Sequence, residues 1–304
     1  MMDEKARRDR RLHARRRRRA RRFVLLGVAA AAVTIGAVLA TRGGAKRAPF
    51  TPPARITIDV STARPHPALL TLPDPLPART VSVPILMYHR IDCLRASLPG
   101  ITRRLTVDPG DFAAQMRWLR GHGFHTITQL QLFDALERGA RLPAKPILLT
   151  FDDGYRDVFG KAMPVLARLH MRATAYIITD RISGPDPSFL TWGQLRGLEQ
   201  RGIEIGSHTV HHYELTGLSD AAALEELTVS RRTLEQHLGH PVQWFAYPAG
   251  AENAHAAALV RRAGYVLAVT THPGSTQSAQ APLELHRFEI LDSTGVSGLA
   301  AMVR

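Results

Sequence analysis

Cysteine is almost absent from this chain. Cys93 is the only one among 304 residues, so no internal disulfide can form and the fold must stand on its apolar core. At this length, with 45% hydrophobic residues, such a core is attainable. There is no internal repeat, which sets aside solenoid architectures. The body of the chain also has little net charge. The total of +14 suggests a nucleic-acid partner until it is located. Residues 1–22 hold Lys5 and eleven Arg against three acids, and Arg42, Lys46 and Arg47 add three more positive charges. From residue 48 onward the balance is only +2. The basic charge therefore belongs to a tail, and no nucleic-acid partner is expected.

That tail runs into Phe23 to Ala40, FVLLGVAAAAVTIGAVLA, eighteen residues without a charge. The length sits at the lower edge for crossing a bilayer core. Cations ahead of it predict an N-terminus inside and the remainder outside. The favoured reading is a single-pass signal anchor in the cell membrane, with 1–22 as a basic cytoplasmic tail against anionic headgroups. Secretion after cleavage beyond Val38-Leu39-Ala40 is the alternative. An RNA-binding arginine arm fits poorly with the adjoining apolar run. Residues 41–80 carry eight prolines and read as an extended, semi-rigid linker. It would hold a domain of residues 81–304 off the membrane.

From Val81 strands and helices alternate. VSVPILMYH, KPILLTF, ATAYIIT, IEIGSH, QWFAYP, YVLAV and LHRFEIL read as strands. Helices are expected after Asp108-Pro109 and after Thr128, both N-terminal signals, and over RDVFGKAMPVLARLH, WGQLRGLEQRG, SDAAALEELTVSRRTLEQHLG and NAHAAALVRRAG. Pro164 could kink the first of these last four. The alternation argues for an α/β fold with a parallel sheet, open or closed into a barrel. Functional groups should then gather at the C-terminal strand ends. His89 follows the first strand, Asp152 and Asp153 the second, His208, His211 and His212 a later one, and Tyr247-Pro248-Ala249-Gly250 the next. Adjacent carboxylates repel and raise one another's pKa unless a positive group is near. Asp153-Gly154 could equally mark a solvated turn. His208 and His212 are four apart, which one helical turn would place on one face. Two imidazoles and a carboxylate suit zinc, and also iron, cobalt or nickel.

TFDDG (150–154), SHTVHH (207–212) and FAYPAG (245–250), in this order, resemble the polysaccharide deacetylase family, the NodB-homology esterases of carbohydrate esterase family 4. PILMYHRI, with DFAAQMRWLRGHGF after it, resembles the poly-N-acetylglucosamine deacetylase branch. The resemblance implies a distorted (β/α)7 barrel and a metal-dependent hydrolase that removes N-acetyl groups from an N-acetylglucosamine polysaccharide, acting as a monomeric domain. It implies that Asp153, His208 and His212 bind the metal, Asp152 is the general base and His89 the general acid. It implies an oxyanion and substrate region at Ala249 and Tyr247. Trp192 could stack on a sugar ring or simply pack at a helix start. Many members carry an arginine where Ala246 stands here, and Arg287 is the expected substitute. His286 is a rival acid, and His211 reads as a solvent-facing neighbour. An O-acetyl esterase and a non-catalytic glycan-binding protein remain as alternatives.

Overall fold

The computed structural model describes residues 69–303. In chain order the strands are β1 (Thr80–Ser82), β2 (Ile85–Tyr88), β3 (Arg90–Ile91), β4 (Thr106–Val107), β5 (His125–Thr126) and β6 (Pro146–Phe151). They continue with β7 (Ala173–Ile177), β8 (Ile203–Ser207), β9 (Trp244–Ala246), β10 (Leu267–Val269), β11 (Thr276–Ser278) and β12 (Phe288–Glu289). The main sheet runs β10-β9-β8-β7-β6-β2-β12, with β5 also paired to β6. Every pairing along this path is parallel. A parallel bridge between Val269 and Leu285 ties the segment before β12 back to β10. The sheet is therefore curled, an α/β arrangement with helices between successive strands.

Side chains alternate across this sheet because successive Cβ atoms in a strand point to opposite faces. In β6, Ile147, Leu149 and Phe151 pack with Phe112, Met116 and Leu119 of the helix Pro109–Gly121. Leu148 points the other way, into a cluster with Ile85, Tyr176, Trp244 and Leu267. The same parity puts Thr150 and, just beyond the strand, Asp152 on the inner side. His89 follows Ile85 and Met87 in the same way on β2.

The helix starts follow their caps. Asp108 accepts from the Gly110 N–H with Pro109 at the first position. Thr128 and Thr191 each form a capping box with a glutamine three residues on. Each cap satisfies donors that the first turn leaves unpaired.

Three expectations need correction. Residues 69–80 are not a free spacer. Leu70 is buried, and the Gln243 side chain clamps it, accepting from its N–H at 2.8 Å and donating to its carbonyl at 2.8 Å. One amide side chain thus supplies the pairing a strand neighbour would give. The helix expected over 156–170 splits into a wider π-helical turn, Val158–Ala162, and an α-helix, Met163–Arg168. Pro164 has no N–H to continue the ladder, and its ring crowds the preceding turn. The last strand is short, Phe288–Glu289. A helix at Val296–Met302 follows it, for which no expectation existed. The basic tail 1–22, the anchor 23–40 and residues 41–68 of the linker lie outside the described residues. Among the described residues, no helix is long and apolar enough to cross a membrane.

Candidate active site

Asp152 leaves β6 at its C-terminal end and is 2% exposed. A carboxylate there needs a partner, and Arg287 supplies it. Its Nη1 donates to Asp152 Oδ1 and its Nη2 to Oδ2, both at 2.8 Å. Two further bonds hold the guanidinium. Nε donates to the Thr270 carbonyl at 2.8 Å, and Nη1 reaches Thr150 Oγ1 at 3.1 Å. Arg287 is itself 1% exposed. Burial pushes the Asp152 pKa up, but the charge and two hydrogen bonds of Arg287 more than offset this and hold it at about 2. Asp152 is thus ionised at neutral pH and fixed in orientation.

Asp153 turns the other way. Its φ of 73° puts it in the left-handed region, which costs an ordinary residue roughly 1–2 kcal/mol. The gain is position. Its Oδ1 lies 3.6 Å from His208 Nε2 and 3.7 Å from His212 Nε2. Ligands about 2.1 Å from one cation keep separations of this size. Asp153 Oδ1 is buried without a hydrogen-bond partner, an acceptor that a cation would satisfy. His208 Nδ1 meets the Ala246 carbonyl at 2.7 Å. That contact requires a proton on Nδ1 and leaves Nε2 as a lone pair aimed at the cluster. Burial lowers the His208 pKa to about 4, so the ring is neutral and able to ligate. These three residues fit a divalent cation.

The two histidines do not share a helical turn, contrary to the spacing argument. Residues 208–212 form a loop with φ of 65° at both Thr209 and His212. Thr209 Oγ1 accepts from the His212 N–H at 2.9 Å. Glu226 Oε2, from the helix Asp220–Leu238, accepts from the N–H groups of Val210 and His211 at 3.0 and 2.9 Å. The loop is thus held by side chains in place of a backbone ladder. Glu226, Thr150 and Thr270 escape sequence reasoning, since nothing local marks a residue whose task is to brace another.

Residues 139–268 match the family model for polysaccharide deacetylase. YxkH of Bacillus subtilis (strain 168), whose name places it among polysaccharide deacetylases, is 33% identical over 222 residues, covering 73% of this chain and 75% of its own. The chain belongs to the polysaccharide deacetylase family. The Streptococcus pyogenes deacetylase PplD, solved in complex with acetate, superposes with a TM-score of 0.69 at 29% identity, over 74% of this chain and 100% of that one. IcaB from Ammonifex degensii gives a TM-score of 0.65 at 26% identity, over 73% and 97%. The poly-beta-1,6-N-acetyl-D-glucosamine N-deacetylase of Staphylococcus aureus (strain N315) is 22% identical over 53% of this chain and 60% of its own length.

The other expected residues of this deacetylase stand as follows. His89 is partly buried after β2, with Nδ1 enclosed and without a hydrogen-bond partner. It lies near enough to Asp152 for their charges to interact. Ala249 is exposed and left-handed at φ 54°. The next two amides are tied within the turn, Gly250 N–H to the Tyr247 carbonyl and Ala251 N–H to that of Pro248. Gly250 has φ 69°, and a Cβ there would meet Thr271 Oγ1 at 2.0 Å. The Tyr247 side chain is not in the cluster. It packs outward with Phe245 and Tyr265 against the helical layer, because its parity on β9 is opposite to that of Ala246. Trp192 is not in the cluster either. Its ring stacks on His237 at 3.7 Å and packs against the core, which is the helix-start role. His211 is half-exposed with Nδ1 on Glu226 Oε1 at 2.6 Å. His286 lies against Gly274, with its ring 6.4 Å from that of His272.

Proposed function

We propose that this chain is a metal-dependent hydrolase that removes N-acetyl groups from an N-acetylglucosamine polysaccharide. Its catalytic domain would work outside the cell, held at the membrane by residues 23–40. The observation that carries the reading is the placing of two adjacent carboxylates in different tasks. Asp152 is locked on Arg287, while Asp153 offers an unpartnered oxygen to His208 and His212. Zinc fits this donor set, as do iron, cobalt and nickel. A metal held there supplies Lewis acidity for the acetyl carbonyl and lowers the pKa of water.

The chain's own residues do the rest. Asp152, ionised and fixed by Arg287, accepts the proton of the attacking water. His89 donates a proton to the departing amine as the carbon–nitrogen bond breaks. The Ala249 N–H receives the developing oxyanion. The products are acetate and a free glucosamine unit. The Staphylococcus aureus relatives named as poly-beta-1,6-N-acetyl-D-glucosamine N-deacetylases support the choice of glycan, and the acetate complex of PplD supports the choice of leaving fragment.

Mass spectrometry of three substrates tests this: poly-N-acetylglucosamine oligosaccharides, peptidoglycan fragments and acetylated xylan, each incubated with zinc-loaded protein. A loss of about 42 Da per acetyl from the N-acetylated glycans is expected. It should vanish with a chelator, and His208→Ala should also lose the bound ion. Loss from acetylated xylan alone would make the protein an O-acetyl esterase. No loss from any substrate, with metal bound, would leave a glycan-binding protein and overturn the proposal.

A further inference from the structure

Among the described residues, Leu69, Ile101 and Tyr213 are the large apolar side chains left exposed. Tyr213 is the aromatic one, 54% exposed, and it directly follows the candidate ligand His212. An exposed ring forgoes the free energy of burial, so its placement calls for a reason. It is also held still. Its ring stacks on His211 at 5.3 Å with 25° between planes. His211 is in turn fixed by Glu226, through Nδ1 at 2.6 Å and its backbone N–H at 2.9 Å. Beyond it, Leu215 is buried and pins the chain again. The result is a rigid aromatic plane, backed on one face by an imidazole and open to solvent elsewhere.

The position is as informative as the rigidity. His208 is 2% exposed, whereas the His212 side chain is 36% exposed. The His212 edge is thus the more open side of the ligand cluster, and Tyr213 is the next residue along the chain from it. A pyranose ring presents an apolar face of C–H groups, and an aromatic plane that is already ordered receives it with little further entropy loss.

We propose that Tyr213, seated on His211 and braced by Glu226, forms a glycan subsite that receives the sugar neighbouring the one being deacetylated. This inference rests on the polysaccharide reading above. It makes recognition depend on chain length, since a lone N-acetyl sugar at the ligand cluster would leave the plane empty.

The test compares wild type, Tyr213→Ala and Tyr213→Trp, zinc-loaded, on β-1,6- and β-1,4-linked pentasaccharides of N-acetylglucosamine and on 4-nitrophenyl acetate. For the pentasaccharide that wild type deacetylates better, Tyr213→Ala should raise KM about tenfold with kcat nearly unchanged. Turnover of 4-nitrophenyl acetate should not change, and Tyr213→Trp should restore KM. An unchanged pentasaccharide KM in Tyr213→Ala, or equal losses on both substrate types, would overturn the subsite. Calorimetric titration of the same proteins with the pentasaccharides gives a reading independent of catalysis. If wild type releases no acetate, the deacetylase reading fails by itself. The subsite then stands on about tenfold weaker binding by Tyr213→Ala and is overturned by equal binding or by none.

Discussion

Arg287 sets the electrostatics of Asp152, and the arrangement trades basicity for orientation. A base works best when its pKa lies near the working pH, yet Arg287 holds Asp152 at about 2. What the pair gains is a carboxylate that is charged and immobile inside the protein. Arg287→Lys keeps the charge but cannot reproduce the paired bonds to Asp152 and those to Thr270 and Thr150. The expected outcome is a kcat at least about tenfold lower, with a melting temperature below that of wild type. Arg287→Ala leaves Asp152 buried and unpaired, at about 3–5 kcal/mol of stability. Denaturant titration and acetate-release rates check both variants, and wild-type values would contradict this account of Ala246 and Arg287. The same scale shows where strain is kept. Asp153, Thr209, His212 and Ala249, four of the seven non-glycine residues with positive φ among the described residues, belong to the site or its bracing. Strain of this kind persists only where the surroundings over-determine the conformation, as Thr209 Oγ1 and Glu226 do for the histidine loop.

Among the elements, the segment 69–80 carries a consequence for where the folded unit begins. Leu70 enters the core, and Gln243 pairs both of its backbone groups. Arg79 Nη1 donates to the Leu136 carbonyl at 2.6 Å, capping the last turn of the helix Gln129–Arg138. Burying a leucine contributes about 1.5–3 kcal/mol. Orphaning the Gln243 amide costs a further 1–3 or so. A chain cut to begin at Val81 is therefore expected to melt about 5–20 °C below one beginning at Ala63, and calorimetry would show it. Equal melting points would mean that the segment adds nothing. The histidine loop teaches a different lesson. Spacing of four named the right pair for a turn of helix, but the chain brings them together by two left-handed residues and a buried glutamate.

The molecule as a whole has another enclosed carboxylate with a raised pKa, away from the chemistry. Glu204 on β8 accepts from the Gln129 and Leu130 N–H groups at 2.6 and 3.5 Å, at the N-terminus of the helix Gln129–Arg138. Burial pushes its pKa from 4.5 up to about 7. A carboxyl raised in the folded state binds its proton there over a pH range in which the unfolded chain has released it. Stability then falls as pH rises from about 4.5 to about 7, by on the order of 3 kcal/mol. Glu204→Gln removes this slope. Urea titrations of both proteins across that range should give curves that diverge with rising pH, the variant becoming relatively more stable. Parallel curves would refute it.

Much of this organisation is legible in the sequence, because it is local. Short apolar runs assign the strands, Asp108 and Thr128 mark helix starts, and parallel strands require functional groups at their C-terminal ends. Those facts alone place His89, Asp152, Asp153, His208 and His212 on one rim. What only the tertiary structure decides is the geometry of pairings between residues far apart in the chain, even where the partner was expected, as Arg287 was for Asp152. Arg287 reaches Asp152 across 135 positions and Gln243 reaches Leu70 across 173. No period or spacing encodes such contacts, since they depend on how the sheet curls and on which residue the curl presses against which. The same closure turns Tyr247 outward and covers Trp192 with His237. It also leaves Tyr213 in the open beside His212, on a brace whose parts are neither adjacent in the chain nor marked by any motif.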